Sequence, residues 1–339
     1  MVSVIIPTIN DPHLNRTIKN VRANSDLPVE FIVINDTGTK LKGLKSPDVT
    51  VINNGLTIGK RASVNNAVKI SKGNYIFILD SHCSMSKGWT SRMVESCVGN
   101  NLVYAIIRDM DSVTWEHRPG NYIHVRLNKE YTEKWWNRKP FEKCEIEEES
   151  MTITGCAWMV TKKCYNELGG YDESLGEYGW EGPEWTCKVW MGENPGRVIC
   201  RTDVVCGHIF GTNVDNKLYR PNMIPKAQYL KYMREHYDDK IEKLVKYFAP
   251  VPDWEPGLKG CEMGQTTKRT IKVERTEKHV TKNVKGVVIK KVIEHFEYIY
   301  TDSGKGPSET EIAKKYGPLA KKVREEVWEL KNGKLKKVA

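Results

Sequence analysis

The stretch FILDSHCSMSKGW, residues 77–89, joins an apolar run to an acid and a histidine two residues apart. With Asn74, Tyr75 and Ile76 ahead of it, the run NYIFILD (74–80) has the form of a buried parallel strand. Such strands are continuously apolar because both sheet faces are covered. Its carboxyl end presents Asp80, Ser81 and His82. In an extended segment, side chains two apart turn to the same side, so Asp80 and His82 are placed to share one divalent cation. Singly, neither is informative. An Asp at a strand end is ordinarily a turn former, and a lone histidine is ordinarily a packing residue.

The pattern spreads outward from this strand. VSVIIP (2–7), EFIVIND (30–36), VTVINN (49–54) and LVYAII (102–107) are further apolar strands. Helix-like segments lie between them at 12–24, 59–73 and 86–98, and Gly73 is a natural helix terminator. Strand and helix in alternation predict an α/β fold: an open, mostly parallel central sheet with helices on both faces. Such sheets bind ligands at the carboxyl ends of their strands, where Asp36 and Asp80 both fall. Neither lies in a G-x-G-x-x-G context, so a dinucleotide site has no support.

Residues 108–150 read as a partly antiparallel insertion over the active face, with extended pieces at SVTWEH and NYIHVRL followed by the aromatic KWWNRKP (134–140). Beyond it, YGWEGPEWTCKVWMG (178–192) is a loop entering a helix. RVICRTDVVCGHIFG (197–211) reads as two short strands ending in His208, 211–225 as a mobile loop and 226–248 as helical. The Pro-rich stretch 249–260 marks a linker between a catalytic domain, 1–248, and a basic accessory domain, 261–339. In the latter, two alternating segments around NVKG (283–286) predict a hairpin. Ser308 and Glu311 form a capping signal for one helix, PLAKKVREEVWEL (318–330) reads as a second, and KNGKLKKV as a small hairpin. That is the order of a winged helix-turn-helix.

The net charge of +10 is uneven. Residues 251–339 hold 20 Lys+Arg against 13 Asp+Glu, so +7 lies in that quarter of the chain. A basic appendage fits a polyanionic partner such as DNA, and fits equally a soluble Lys-rich face without one. No apolar run approaches the ~20 residues of a membrane span. The first strand opens at residue 2, so the expectation is a cytoplasmic protein without a membrane span. Nine cysteines lack a C-x-x-C pair, which argues against zinc ribbons and thioredoxin chemistry and for buried, reduced thiols.

A carboxylate beside imidazoles suits Mn²⁺, with Mg²⁺ the second candidate because it favours oxygen alone. Bound to a nucleotide-sugar diphosphate, such a cation stabilises the departing phosphate charge. His208 is the best third ligand, and Arg61, near the start of its helix, is placed to meet phosphates.

Together these segments resemble the nucleotide-sugar glycosyltransferases of the GT-A fold, most closely the polypeptide N-acetylgalactosaminyltransferase branch. VSVIIPTIN is similar to the superfamily's opening strand, and Asp80-Ser81-His82 to the branch's metal motif. Residues 155–210 resemble its second block, where a Trp-Gly-Gly-Glu-Asn-x-Glu run precedes a helix and a Gly-His closes the metal site. The resemblance covers roughly residues 1–236. It implies Mn²⁺ on Asp80, His82 and His208, and a UDP-sugar donor held by Asp36 and Arg61 with Thr8 near the base. It places Gly155 and Trp158 on the sugar and acceptor side, and gives the catalytic contacts to Glu181, Glu184 and Asp80. It also implies retention of anomeric configuration, whereas inverting relatives use a carboxylate base in this region. Trp180 stands where the branch has glycine, and Gly182 where it has asparagine. No lectin-type Gln-x-Trp repeat follows residue 250. The expected reaction is transfer of a hexose or N-acetylhexosamine to an acceptor hydroxyl, first of all on a hydroxymethylated base of viral DNA. That base would be flipped out of its duplex and stacked on the KWWNRKP segment. The alternatives are a polysaccharide, lipid-linked glycan or protein acceptor, and a non-catalytic binding protein.

Overall fold

The computed structural model describes residues 1–254, save 39–40, 42, 121 and 211–222, and the backbone of 267–283, 286–302, 321–331 and 334–337. The chain divides into two compact units, Met1–Glu262 and Met263–Ala339. The first carries a nine-stranded sheet. Its strands are β1 (Val2–Thr8), β2 (Val29–Asn35), β3 (Val49–Asn53), β4 (Tyr75–Ile78), β5 (Cys83–Met85), β6 (Leu102–Asp109), β9 (Glu147–Glu149), β10 (Trp158–Thr161) and β11 (Val198–His208). They lie in the order β3-β2-β1-β4-β10-β6-β11-β5, with β9 also on β11. β1 to β4, β6 and β11 share one direction, while β5, β9 and β10 oppose it. This is the mostly parallel sheet that the apolar strands predict.

Helices cover both faces: α1 (Leu14–Asn24), α2 (Lys60–Ile70), α3 (Trp89–Ser96), α4 (Lys162–Glu167) and α5 (Glu181–Met191). One core packs α1 and α3 on the sheet through Ile18, Val21, Trp89 and Met93. The other packs α2 and α5 through Val64, Val68, Trp185 and Val189. Each fully buried side chain of this kind contributes ~1.5–3 kcal/mol. A third core joins α6 (Lys226–Tyr237) and α7 (Ile241–Phe248) to a hairpin of β7 (His124–Leu127) and β8 (Glu133–Trp136). The insertion is therefore antiparallel, as its pattern predicts. Its SVTWEH segment is mostly turn rather than strand. The eight described cysteines are free, and all but Cys144 are buried. Among the described residues no helix is long and apolar enough to cross a membrane.

Two expectations are corrected. Residues 197–211 hold a single strand, β11, whose register against β6 shifts between Arg201 and Val205. The irregularity produces the sequence break that reads as two strands. The 226–248 segment is helical as expected, in two pieces, α6 and α7. In the second unit, β12 (Thr267–Asn283) and β13 (Gly286–Asp302) form the expected hairpin. The segment predicted as a helix at 318–330, however, is largely strand β14 (Lys321–Lys331), paired along β13 and followed by β15 (Lys334–Lys337). The exposed edge of a 17-residue strand offers backbone pairing that overrides helical spacing. The winged helix-turn-helix thus lacks its second helix. The capping signal at Ser308 and Glu311, and the first helix, lie outside the described residues, as does most of the 211–225 loop.

Candidate active site

The site follows from where two strands stop. β4 ends at Ile78, and the chain crosses the sheet edge as Leu79, Asp80, Ser81 and His82 before turning back as β5. β5 pairs with the end of β11 in the register His208 opposite Cys83, and the His82 carbonyl accepts the Ile209 N–H at 3.2 Å. The register sets His208 beside His82, their rings 4.8 Å apart and edge to face. Gly207 is required here. A Cβ at this position would lie 2.6 Å from the Ser84 hydroxyl and would collide with the His117 ring.

One donor atom from each of Asp80, His82 and His208 lies within 4.8 Å of the others. His208 Nε2 is 3.3 Å from an Asp80 oxygen, and the Lys60 ammonium is 3.0 Å from the other. Burial opposes the Asp80 charge, but Lys60, His208 and His82 outweigh it and hold the carboxyl well below the usual range. Behind His82, the Asp11 carboxylate lies 2.7 Å from Nδ1 and accepts the Ser81 hydroxyl at 3.0 Å. That bond orients the ring and leaves Nε2 for a metal, the usual outer partner of a ligating histidine. An ionised carboxylate and two imidazoles converging at a strand edge fit a divalent cation of the Mn²⁺ type.

These residues line a cavity of about 670 Å³. Thr8, Asp36, Asp80, His82, Gly155, Glu181 and His208 all face it. Asp36 also organises the backbone. Its carboxylate accepts the Ile58 and Gly59 N–H groups, both at 2.9 Å, and so fixes the entry to α2. Glu181 accepts the Gly179 N–H at 2.8 Å, and a Cβ on Gly155 would stand 3.7 Å from its other oxygen.

Arg61, Glu184 and Trp158 lie behind the cavity rather than in its lining. Arg61, 1 % exposed, pairs with the fully buried Glu184 and donates to the Gly179 carbonyl at 2.6 Å. Glu184 also holds Lys188 and the Asp172 N–H, each at 2.7 Å. This pair ties α2 to α5 and steadies the 177–181 loop. Trp158 is buried on β10 against Trp185, with ring centroids 4.9 Å apart. In place of Arg61, the neighbouring Lys60 reaches the cavity, where it also donates to the Gly155 carbonyl at 3.2 Å. Sequence reasoning passed over Lys60, Asp11 and Glu133. The signal for Lys60 was present in Gly-Lys-Arg at a helix start, while Asp11-Pro12 reads as a generic turn. Of the paired tryptophans, Trp136 is core and Trp135 faces the cavity.

Trp180 has a left-handed backbone, φ 56°, a conformation that costs a bulky residue energy and suits glycine. Its ring stacks on Tyr229 at 4.3 Å, which offsets that strain.

The mostly parallel sheet with helices on both faces is the GT-A fold. The same fold is found in the crystal structure of GalNAc-T7 with UDP, GalNAc and Mn²⁺. That structure matches with a TM-score of 0.59 at 20% identity, over 73% of this chain and 50% of the other. Residues 3–169, just under half of the chain, match the family model for glycosyl transferase family 2. Polypeptide N-acetylgalactosaminyltransferase 10 of Homo sapiens is 26% identical over 274 residues, 73% of this chain and 44% of that protein. The putative polypeptide N-acetylgalactosaminyltransferase 13 of Drosophila melanogaster is 26% identical over 233 residues, 62% and 41% respectively. The chain thus spans less than half the length of these curated relatives.

Proposed function

We propose that the protein is a metal-dependent glycosyltransferase that moves a hexose or N-acetylhexosamine from a UDP-sugar to an acceptor hydroxyl. The observation that carries this is the convergence of Asp80, His82 and His208 in the edge cavity. Asp80, His82 and His208 would hold Mn²⁺, which when bound acts as a Lewis acid toward the diphosphate. Asp11 keeps the His82 ring in its ligating orientation. Lys60 adds a fixed positive charge beside Asp80, where diphosphate charge develops, and burial makes that charge more effective. Thr8 and Asp36 form the wall that would meet the uridine. Glu181, held by the Gly179 N–H, is the carboxylate nearest the transferred sugar in this reading. Arg61 and Glu184 act at one remove by fixing the loop that carries Glu181.

The acceptor in this reading is a hydroxyl of a glycan or protein. A hydroxymethylated DNA base is the second reading, supported by the +7 charge of residues 251–339. The test is release of UDP from a panel of UDP-sugars, with Mn²⁺ or after chelation, in wild type and Asp80→Ala. Saccharide, peptide, hydroxymethylated DNA and no acceptor would be compared. Metal-dependent release lost in Asp80→Ala is the expected result. Release indifferent to chelation and to Asp80 would refute the proposal. Stimulation by hydroxymethylated DNA alone would move the acceptor to nucleic acid.

A further inference from the structure

The β7–β8 hairpin puts two unlike side chains on the cavity wall. Glu133 and Trp135 are two apart on β8 and both line the cavity, while Lys134 between them is exposed and Trp136 turns into the third core. Trp135 is backed by Tyr122, with ring centroids 4.4 Å apart. One oxygen of Glu133, Oε2, is buried and has no hydrogen-bond partner. The buried cation of the same cavity, Lys60, is committed to Asp80 and to the Gly155 carbonyl. A buried carboxylate oxygen without a donor is unfavourable, so this wall is built for a ligand that brings a donor to Oε2.

We propose that β8 forms an acceptor subsite for a neutral pyranose, with Trp135 beneath the sugar's C–H face and Glu133 accepting hydrogen bonds from its hydroxyls. This rests on the UDP-sugar reading of the same cavity. A pyranose combines an apolar face with a rim of hydroxyl donors, and the wall offers an aromatic face beside an acceptor-only group. Glu181 adds a second carboxylate to the same cavity. A phosphate-bearing acceptor would meet both carboxylates as like charges and be repelled. Nucleic acid is therefore disfavoured at this wall.

The test is saturation-transfer NMR on the full chain, with UDP and diamagnetic Mg²⁺ present so that added saccharides report on the acceptor side. The probes are the methyl glycosides of glucose, galactose, mannose, N-acetylglucosamine and N-acetylgalactosamine. At least one should give transfer to its ring C–H protons. Trp135→Ala should abolish that signal, Trp135→Phe should keep it, and Glu133→Gln should weaken binding by about tenfold or more. The UDP signals should stay unchanged in every variant, which also certifies folding. No saccharide signal on the wild type, or equal signals in Glu133→Gln and Trp135→Ala, would overturn the proposal. So would stronger competition for the site by a lysine-bearing peptide or by hydroxymethylated DNA. Loss of the UDP signals in the wild type would instead count against the donor reading and leave the saccharide result to be judged separately.

Discussion

Replacing Arg61 by methionine separates two roles for this residue, donor contact and internal brace. Methionine keeps much of the aliphatic stem and removes the guanidinium. Breaking a buried ion pair from one side costs about 3–5 kcal/mol, because the remaining charge stays desolvated. Here Glu184 keeps Lys188 and the Asp172 N–H, so the lower end, about 3 kcal/mol, applies. The Gly179 carbonyl loses a charged donor at 2.6 Å, worth about another 1 kcal/mol. The expected loss is about 4 kcal/mol, or roughly a 10 °C fall in Tm for a unit of this size. Urea and thermal unfolding followed by tryptophan fluorescence would measure it. Adding Glu184→Gln should then cost much less than it does in the wild type, since the two share one interaction. UDP affinity, compared well below the transition, should fall modestly through the loosened 177–181 loop. A variant of unchanged stability that has lost UDP binding would refute this account and put Arg61 on the nucleotide.

Three more outcomes are expected. Asp11→Asn should weaken Mn²⁺ binding by about 10–100-fold, the usual effect of removing an outer partner of a ligating histidine, read by Mn²⁺ electron paramagnetic resonance with fold and Tm monitored alongside. Gly182→Ala should destabilise the chain although alanine favours helices by ~1 kcal/mol; its Cβ would run into the Ile153 carbonyl, and Gly182→Asn, which restores the residue of the resembled branch, should be no better in the same unfolding assay. Burial lifts the Glu133 carboxyl above its ordinary value, and Glu181 adds to the shift. The unfolded chain loses this proton at about pH 4.3 while the native chain still holds it, so stability falls as pH rises through that window. Glu133→Gln should therefore gain Tm over the wild type above that pH and lose the advantage in acid; a constant difference across the range would contradict the assignment.

Much of the site was legible from local pattern. Val4–Pro7, Phe31–Ile34 and Ile76–Leu79 are apolar without interruption because the sheet is covered on both faces, and the carboxyl ends of the last two strands mark where Asp36 and Asp80 emerge. The two-residue spacing of Asp80 and His82 singles them out, but the segment is not extended: Ser81 and His82 form a turn, and the return of the chain into β5 is what brings the two side chains together. Other features had no local signal. The use of Glu133 depends on a hairpin folded across the cavity, and that of Asp11 on a turn packed behind His82. The β14 strand carries apolar residues at helical spacing and pairs instead with an edge lying some thirty residues earlier in the chain.

The sequence alone determined the α/β class and the candidate donors at the carboxyl ends of the strands, because strand periodicity and short spacings act over a few residues. Only the tertiary structure decided which of two adjacent cations faces the cavity. Lys60 and Arg61 are neighbours on α2, about 100° apart around the helix. The position of α5 turns Arg61 inward to Glu184 and leaves Lys60 to Asp80. Side-chain direction on a packed helix is set by the partner across the interface, and that partner, Glu184, lies 123 residues away in the chain.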